Sequence, residues 1–228
     1  MYLLGLDIGS TVMKAGVFDL EGNEIGVYGE LAETYTPKPG QYERELDELW
    51  EASICAINGV IDKAGIKGQD IVAVSLTGHG NGVHLLDADK KPVRLAIEGA
   101  DSRALSYLEI IEKEGYYDEI HPDNMQVLWP ALSFVLMRWM KENEPESYKK
   151  GKYFLTAHDY IRFRMTDELR SEITCMSGTG LINVKDQTID KEMLKKGGIE
   201  EVADMLPPLV SSFEEAGRIT AEAAEKTG

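Results

Sequence analysis

The spacing of the apolar residues changes twice between residues 2 and 76, and this dictates the order of the first elements. Residues 2–6 (Tyr-Leu-Leu-Gly-Leu) are nearly continuous apolar sequence and end at Asp7-Ile8-Gly9-Ser10-Thr11. From Val12 to Phe18 the chain runs on through Met13, Ala15 and Val17, so two strands joined by a tight turn are predicted. A turn over 19–24 then leads into a third strand through Ile25, Val27 and Leu31, which completes an antiparallel meander. Pro37-Lys38-Pro39-Gly40 interrupts it. Between 45 and 64, Leu46, Leu49, Trp50, Ile54, Ile57, Val60 and Ile61 recur at mostly three- and four-residue spacing, the pattern of a helix with one buried face that stops at Gly65. Residues 71–76 read as a buried strand. A strand reached through a crossover helix pairs in parallel and right-handed, so the sheet is predicted to be mixed.

The remainder is predicted more coarsely. Residues 83–86 and 92–97 form a hairpin at the end of the sheet, and apolar stripes place helices over 102–113, 131–143 and 157–165. A short helix is expected within 185–197. The charged runs 141–146 and 214–226 read as solvated faces. No repeat or long linker divides the chain, so one mixed α/β unit with a decorated edge is expected.

Charge narrows the partners. With 24 Lys and Arg against 40 Asp and Glu the net charge is −16, which leaves no excess basic surface for a phosphate backbone or an anionic membrane. The opening apolar run meets Asp7 too soon for a signal peptide or a bilayer span. Cys55 and Cys175 stand far apart without ligand-spaced partners, which predicts no disulfide and no cysteine zinc site. A cytoplasmic protein is the expectation.

The segment Asp7-Ile8-Gly9-Ser10-Thr11-Val12-Met13-Lys14 carries the clearest chemistry. It puts a carboxylate at the end of a strand, a glycine turn whose backbone N–H groups can meet phosphate oxygens, two hydroxyls and an ammonium. Asp7 suits a hydrated Mg²⁺, which takes one or two carboxylates and keeps water and phosphate as its other ligands. Gly9, Ser10, Thr11 and Lys14 are the candidate contacts to the phosphates of ATP. The plainer reading is a hairpin connector.

These residues, with Asp19, resemble the first phosphate motif of the actin, hexokinase and sugar-kinase superfamily, whose domains have a ribonuclease H-like sheet. Pro39-Gly40-Gln41-Tyr42-Glu43-Arg44 before the Trp50 helix, Thr77-Gly78-His79-Gly80-Asn81-Gly82, Asp101-Ser102-Arg103, Trp139 with Glu144-Pro145-Glu146, the run 157–166 and Ser177-Gly178-Thr179 are similar, in order, to the N-terminal domain of FGGY carbohydrate kinases. The resemblance spans nearly all of residues 2–228. Gln126-Val127-Leu128-Trp129-Pro130, His158-Asp159-Tyr160 and the small Gly99 are most like the L-xylulose kinase and xylulokinase branch, and the 77–82 loop is also similar to erythritol kinases.

The resemblance implies ATP and Mg²⁺ as cofactors and a pentulose as substrate, with an erythritol-type polyol as the alternative. It places sugar contact at Asn81, with Asp101 and Arg103 beside the pocket. His79 is added as their neighbour, and Gln126 and Trp129 as a far wall, the Trp facing the carbon side of the sugar. The competing structural readings are a loop-capping His79, an ion pair of Asp101 and Arg103 at a helix start, and a core Trp129. His158 and Asp159 are read as a helix start without chemistry.

The resemblance also implies a second, ATP-binding domain and a catalytic Asp in a Gly-Gly-x-Asp context. No such motif occurs in these residues. The expectation is a sugar-side half that is inactive alone, its partners being a sugar, the C-terminal domain and, in one open arrangement, a second copy as a homodimer. Two other classes fit part of the pattern: a non-catalytic sugar sensor or partner module, and another actin-like ATPase such as an acetate kinase or a chaperone, which shares the Asp7 turn but not the 77–82 loop.

Overall fold

A computed structural model describes all residues from 1 to 228. The meander is present as β1 (Tyr2–Ile8), β2 (Val12–Phe18) and β3 (Glu24–Leu31). Gly9 makes the first turn as tight as it is, because a Cβ there would stand 2.5 Å from the Val12 carbonyl oxygen. After the two-residue β4 (Glu43–Arg44) comes α1 (Leu46–Ala64), capped by the Glu45 carboxylate on the Leu46 N–H and closed by Gly65 in the left-handed conformation. Next, β5 (Ile71–Gly78) pairs with β1 in parallel, giving the order β3-β2-β1-β5. Alternation sorts its two faces. Leu4, Leu6, Ile8, Met13, Ala15 and Val17 are buried on the side of α1, while Asp7, Lys14 and Thr77 share the opposite face through their register.

Two expectations are corrected here. Residues 71–76 do not form a buried strand: β5 is the edge of the sheet, Val72 is 54% exposed, and a groove of about 1300 Å³ runs along it. The hairpin does not extend that sheet either. β6 (Gly82–Leu86) and β7 (Ala96–Glu98), with β4 and the later β8 (Tyr153–Leu155), build a second sheet in the order β4-β7-β6-β8, antiparallel throughout.

Along the chain between β7 and β8 lie α2 (Tyr107–Lys113), α3 (Tyr116–Glu119), α4 (His121–Asn124), α5 (Ser133–Asn143) and α6 (Pro145–Lys150). Beyond β8 come α7 (Ala157–Thr166), β9 (Ser171–Glu172), α8 (Ile173–Ser177), α9 (Lys191–Lys196), β10 (Leu209–Val210) and α10 (Ala221–Thr227). The helix expected from 102 starts only at Tyr107, because Asp101 holds the preceding residues in turns. The tail is not wholly solvated: α10 buries Ala223 and Thr227 and packs on α1.

The decorated edge is as large as what it decorates. One core of 25 residues lies between the first sheet, α1 and α7; another of 26 is gathered around α5. β6 stands between them, with Val83 and Leu85 in the second core and Leu86 in the first, which is why all five of its residues are buried. Neither cysteine is in a disulfide, and no helix is long and apolar enough to cross a membrane.

Candidate active site

The ends of both sheets meet at the β1–β2 turn, and a cavity of about 720 Å³ opens there. Ser10 and Thr11 form one side of it, Thr34, Thr36 and Tyr42 another, and His79, Asn81, Glu98 and Trp129 line it as well. The turn is held from below by Arg44, whose Nη2 donates to the Ser10 carbonyl and to Thr34 Oγ1.

Among the sequence-predicted residues, Ser10, Thr11, His79, Asn81 and Trp129 line this cavity. His79 and Asn81 follow β5 on the loop into β6, where Asn81 Oδ1 accepts from the Ser133 N–H at 3.2 Å at the start of α5. That bond fixes the amide and leaves its NH2 as a donor with no partner in the chain. Trp129 is 36% exposed and belongs to neither core, so its ring offers an apolar surface of the kind the CH face of a sugar covers. Asp7 and Lys14 lie outside the cavity lining, on the open face of the first sheet. Asp7 is half-buried and makes no hydrogen bond or ion pair, so its carboxylate is available, and one free carboxylate near the end of β1 fits the modest protein ligation that hydrated Mg²⁺ needs.

Three predicted contacts are corrected. Asp101 and Arg103 do not reach the cavity. Asp101 is 2% exposed and accepts from the Tyr42 N–H at 2.7 Å and from the Arg103 N–H and Nε at 2.7 and 2.9 Å, while Arg103 also pairs with Glu43 at 2.8 Å and covers the Trp139 ring. Both Asp101 carboxylate oxygens are taken up by Tyr42 and Arg103, so the pair shapes the wall rather than the ligand surface. Gln126 is also outside; its backbone is clasped by Asn124 and Tyr116.

The structure adds residues that the sequence reading missed. His84 and Glu98 are 1% and 3% exposed, and Arg44 lies beside Glu98 with Nε 3.4 Å from Oε1. Burial drives the His84 imidazole well below its ordinary pKa, the charges of His79 and Arg44 adding to the effect, so the ring is neutral. The signal for these residues was present: a histidine and a glutamate each interrupt an otherwise apolar strand, Val83-His84-Leu85-Leu86 and Ala96-Ile97-Glu98.

His158 and Asp159 do begin α7, but Asp159 does more than face the helix dipole. Fully buried, it accepts from Thr156 Oγ1 at 2.8 Å and from the Glu172 N–H at 3.1 Å, and pairs with Arg162 at 3.2 Å.

Comparison with known proteins agrees with this geometry. The model of the FGGY family of carbohydrate kinases, N-terminal domain, matches residues 2–228. The chain is 36% identical over 227 residues to a probable L-xylulose kinase of Haemophilus influenzae, covering 100% of this chain and 47% of that protein. It is 35% identical to the L-xylulose/3-keto-L-gulonate kinase of Escherichia coli, covering 100% and 46%. The chain thus spans about half the length of the curated relatives it matches. Among solved structures, ligand-bound xylulose kinase from Lactobacillus acidophilus superposes with a TM-score of 0.90 at 24% identity over 99% of this chain and 45% of that one. Glycerol kinase of Plasmodium falciparum gives 0.88 at 20% identity over 99% and 46%. These two likenesses show the ribonuclease H-like fold of the actin, hexokinase and sugar-kinase superfamily. With the Asp7 turn in place and the family match running from Tyr2 to the last residue, this chain belongs to the FGGY family of carbohydrate kinases, as its N-terminal domain.

Proposed function

We propose that this domain is the sugar-side half of an ATP-dependent kinase that phosphorylates a hydroxyl of a pentulose, with L-xylulose or xylulose as the favoured class. One observation carries the reading: the hydroxyl-bearing turn that follows Asp7 is also a wall of the cavity lined by His79, Asn81 and Trp129. A phosphoryl group held at that turn therefore lies at the mouth of the space a sugar would fill. The names of the relatives at 34–36% identity support the pentulose class.

In the proposed reaction the sugar hydroxyl oxygen attacks the γ-phosphorus of ATP, the bond to the β,γ-bridging oxygen breaks, and ADP leaves. The hydroxyl proton passes to a base in a second, ATP-binding half. Asp7 would hold Mg²⁺, which offsets phosphate charge. Gly9, Ser10, Thr11 and Lys14 steady phosphate oxygens by hydrogen bonds and charge. Asn81, through its free NH2, fixes the sugar, with the His79 ring as a wall beside it, since each buried hydroxyl left unpaired costs about 1–3 kcal/mol and rejects the wrong stereoisomer. The open face of the first sheet exposes Leu3, and β5 exposes Val72, apolar surface suited to cover by the second half.

Calorimetry of the 228-residue protein with L-xylulose, D-xylulose, ribulose and erythritol, beside an ATP-consumption assay, tests this. Weak pentulose binding that falls in Asn81→Ala and Trp129→Ala, without turnover, is expected. Binding unchanged in both variants, or turnover by the domain alone, refutes it.

A further inference from the structure

The register of the second sheet brings four polar side chains from three strands and one loop to a single place. Gly82 pairs with Glu98 and Arg44 with Ala96, so His84, two residues on from Gly82, and Glu98, two on from Ala96, share one face with Arg44. Only glycine fits at position 82, because its φ is +112° and a Cβ there would collide with the Ile97 carbonyl. His79 joins from the loop above. One nitrogen of each histidine and one carboxylate oxygen of Glu98 lie within 4.8 Å of one another. His79 Nε2 is 3.3 Å from Glu98 Oε2, and His84 Nε2 is 3.9 Å from Oε1.

Apart from the ion pair of Arg44 Nε with Glu98 Oε1 at 3.4 Å, these atoms lack partners. His79 Nε2, both ring nitrogens of His84 and both oxygens of Glu98 are buried without a hydrogen-bond partner, a concentration that native structures explain by a bound water or ion. The tautomer sharpens the point. His79 Nδ1 lies 3.3 Å from the Asn81 carbonyl oxygen, which can only accept, so Nδ1 carries the proton. In the neutral ring Nε2 then turns a lone pair toward a carboxylate oxygen, two acceptors facing each other. A cation or a shared proton between them would relieve that opposition. A shared proton would satisfy His79 and Glu98 but would leave His84 Nε2, 3.9 Å from Oε1, without a hydrogen-bond partner.

We propose that His79, His84 and Glu98 form a site for one divalent transition-metal ion of the zinc class at the floor of the cavity. Two imidazoles and a carboxylate are the donor set of zinc and cobalt, not of magnesium, which prefers oxygen in octahedral array. Three protein ligands leave a coordination position open, and His79 and Glu98, which both line the cavity, put the site at its wall. The exchangeable ligand there is water or a hydroxyl of a bound polyol. Arg44 is the outer partner: anchored on the Ser10 carbonyl and Thr34, it engages Oε1 and leaves Oε2 toward His79. Its charge opposes a dication, so affinity is expected below that of a closed structural zinc site. The proposal does not depend on the kinase reading, and Asp7 is not among the ligands.

The 228-residue protein, stripped with chelator and dialysed, is titrated with CoCl2, then ZnCl2, with MgCl2 as the control. One equivalent of cobalt should bind with the visible d–d bands of a four- or five-coordinate ion, be displaced by zinc and ignore magnesium. His79→Gln and Glu98→Gln should each weaken binding about tenfold or more, whereas His121→Gln should leave it unchanged. Circular dichroism verifies folding, and the partly exposed position of His79 keeps that variant informative should Glu98→Gln fail to fold. Absence of stoichiometric cobalt binding, or binding untouched by His79→Gln, overturns the proposal; a nitrogen-15 spectrum showing His79 doubly protonated at neutral pH would identify the shared proton instead.

Discussion

Asn124 holds the loop that carries Trp129, and its replacement by alanine gives a stability change that can be worked from the contacts. The side chain is fully buried at the end of α4, where Met125 turns the chain with a φ of +54°. Its Nδ2 donates to the Gly180 carbonyl at 3.0 Å, and its Oδ1 accepts from the Gln126 N–H at 3.1 Å. The Tyr116 hydroxyl, 3.2 Å from the same Oδ1, donates to the Gln126 carbonyl at 2.8 Å. Alanine strands two backbone groups at roughly 1–3 kcal/mol each, so a loss of about 3 kcal/mol is expected. At this chain length that lowers Tm by roughly 6–12 °C. Tyr116→Phe removes a single donor and should cost about 1 kcal/mol. Because both side chains hold Gln126, the double variant should lose less than the sum of the two. Urea unfolding followed by circular dichroism reads all three values, and an unchanged m-value confirms that the folded state is what was weakened. A loss below 1 kcal/mol for Asn124→Ala, or strict additivity with Tyr116→Phe, would show that the loop is held by something else. Pentulose binding should weaken in parallel with the loss, since the indole wall of the cavity moves with the loop.

Three further outcomes follow from buried charge and burial itself. Asp159→Ala leaves the 7%-exposed Arg162 without its carboxylate and should cost about 3–5 kcal/mol by the same unfolding measurement; a cost under 1 kcal/mol would mean that Arg162 finds solvent instead. Burial holds the His158 imidazole below its ordinary pKa, Arg162 and His79 reinforcing it and Asp159 and Glu172 opposing. The folded ring therefore stays neutral where the unfolded one takes up a proton, and stability is full above about pH 6.5 and lost as pH falls below it, by at most about 1.4 kcal/mol per pH unit. Wild type and His158→Gln compared from pH 7 to 5 in chelator should diverge in that sense, and parallel curves would be the refutation. Burial pushes the Cys175 thiol up to about 12, while Cys55 is exposed, so iodoacetamide at pH 8 should label Cys55 first; equal labelling by peptide mass analysis would show that Cys175 is open.

The local pattern was enough for the first sheet. The apolar runs of β1 and β2 broken by turn residues, the Glu45-to-Gly65 helix and the apolar run after it left one economical order of elements, because side-chain period and connection handedness act over neighbouring residues. The Asp7 turn and the family followed from short motifs of the same kind. What periodicity could not convey was which surface each strand would meet. Residues 71–76 look buried as a string, yet β5 has a neighbour on one side only, and Asp101 with Arg103 looks like ligand chemistry until Glu43 and the Tyr42 N–H claim it.

The sequence by itself determined the element order of the first sheet, the phosphate-type turn and membership in the FGGY family. Only the tertiary structure decided that Trp129 faces a cavity and that Arg44, His79, His84 and Glu98, drawn from positions up to 54 residues apart, converge beneath it. The physical reason is register. The pairings of Arg44 with Ala96 and of Gly82 with Glu98 are set by two cores packing against opposite faces of β6, and a slip of one residue would turn every one of these side chains to the other side.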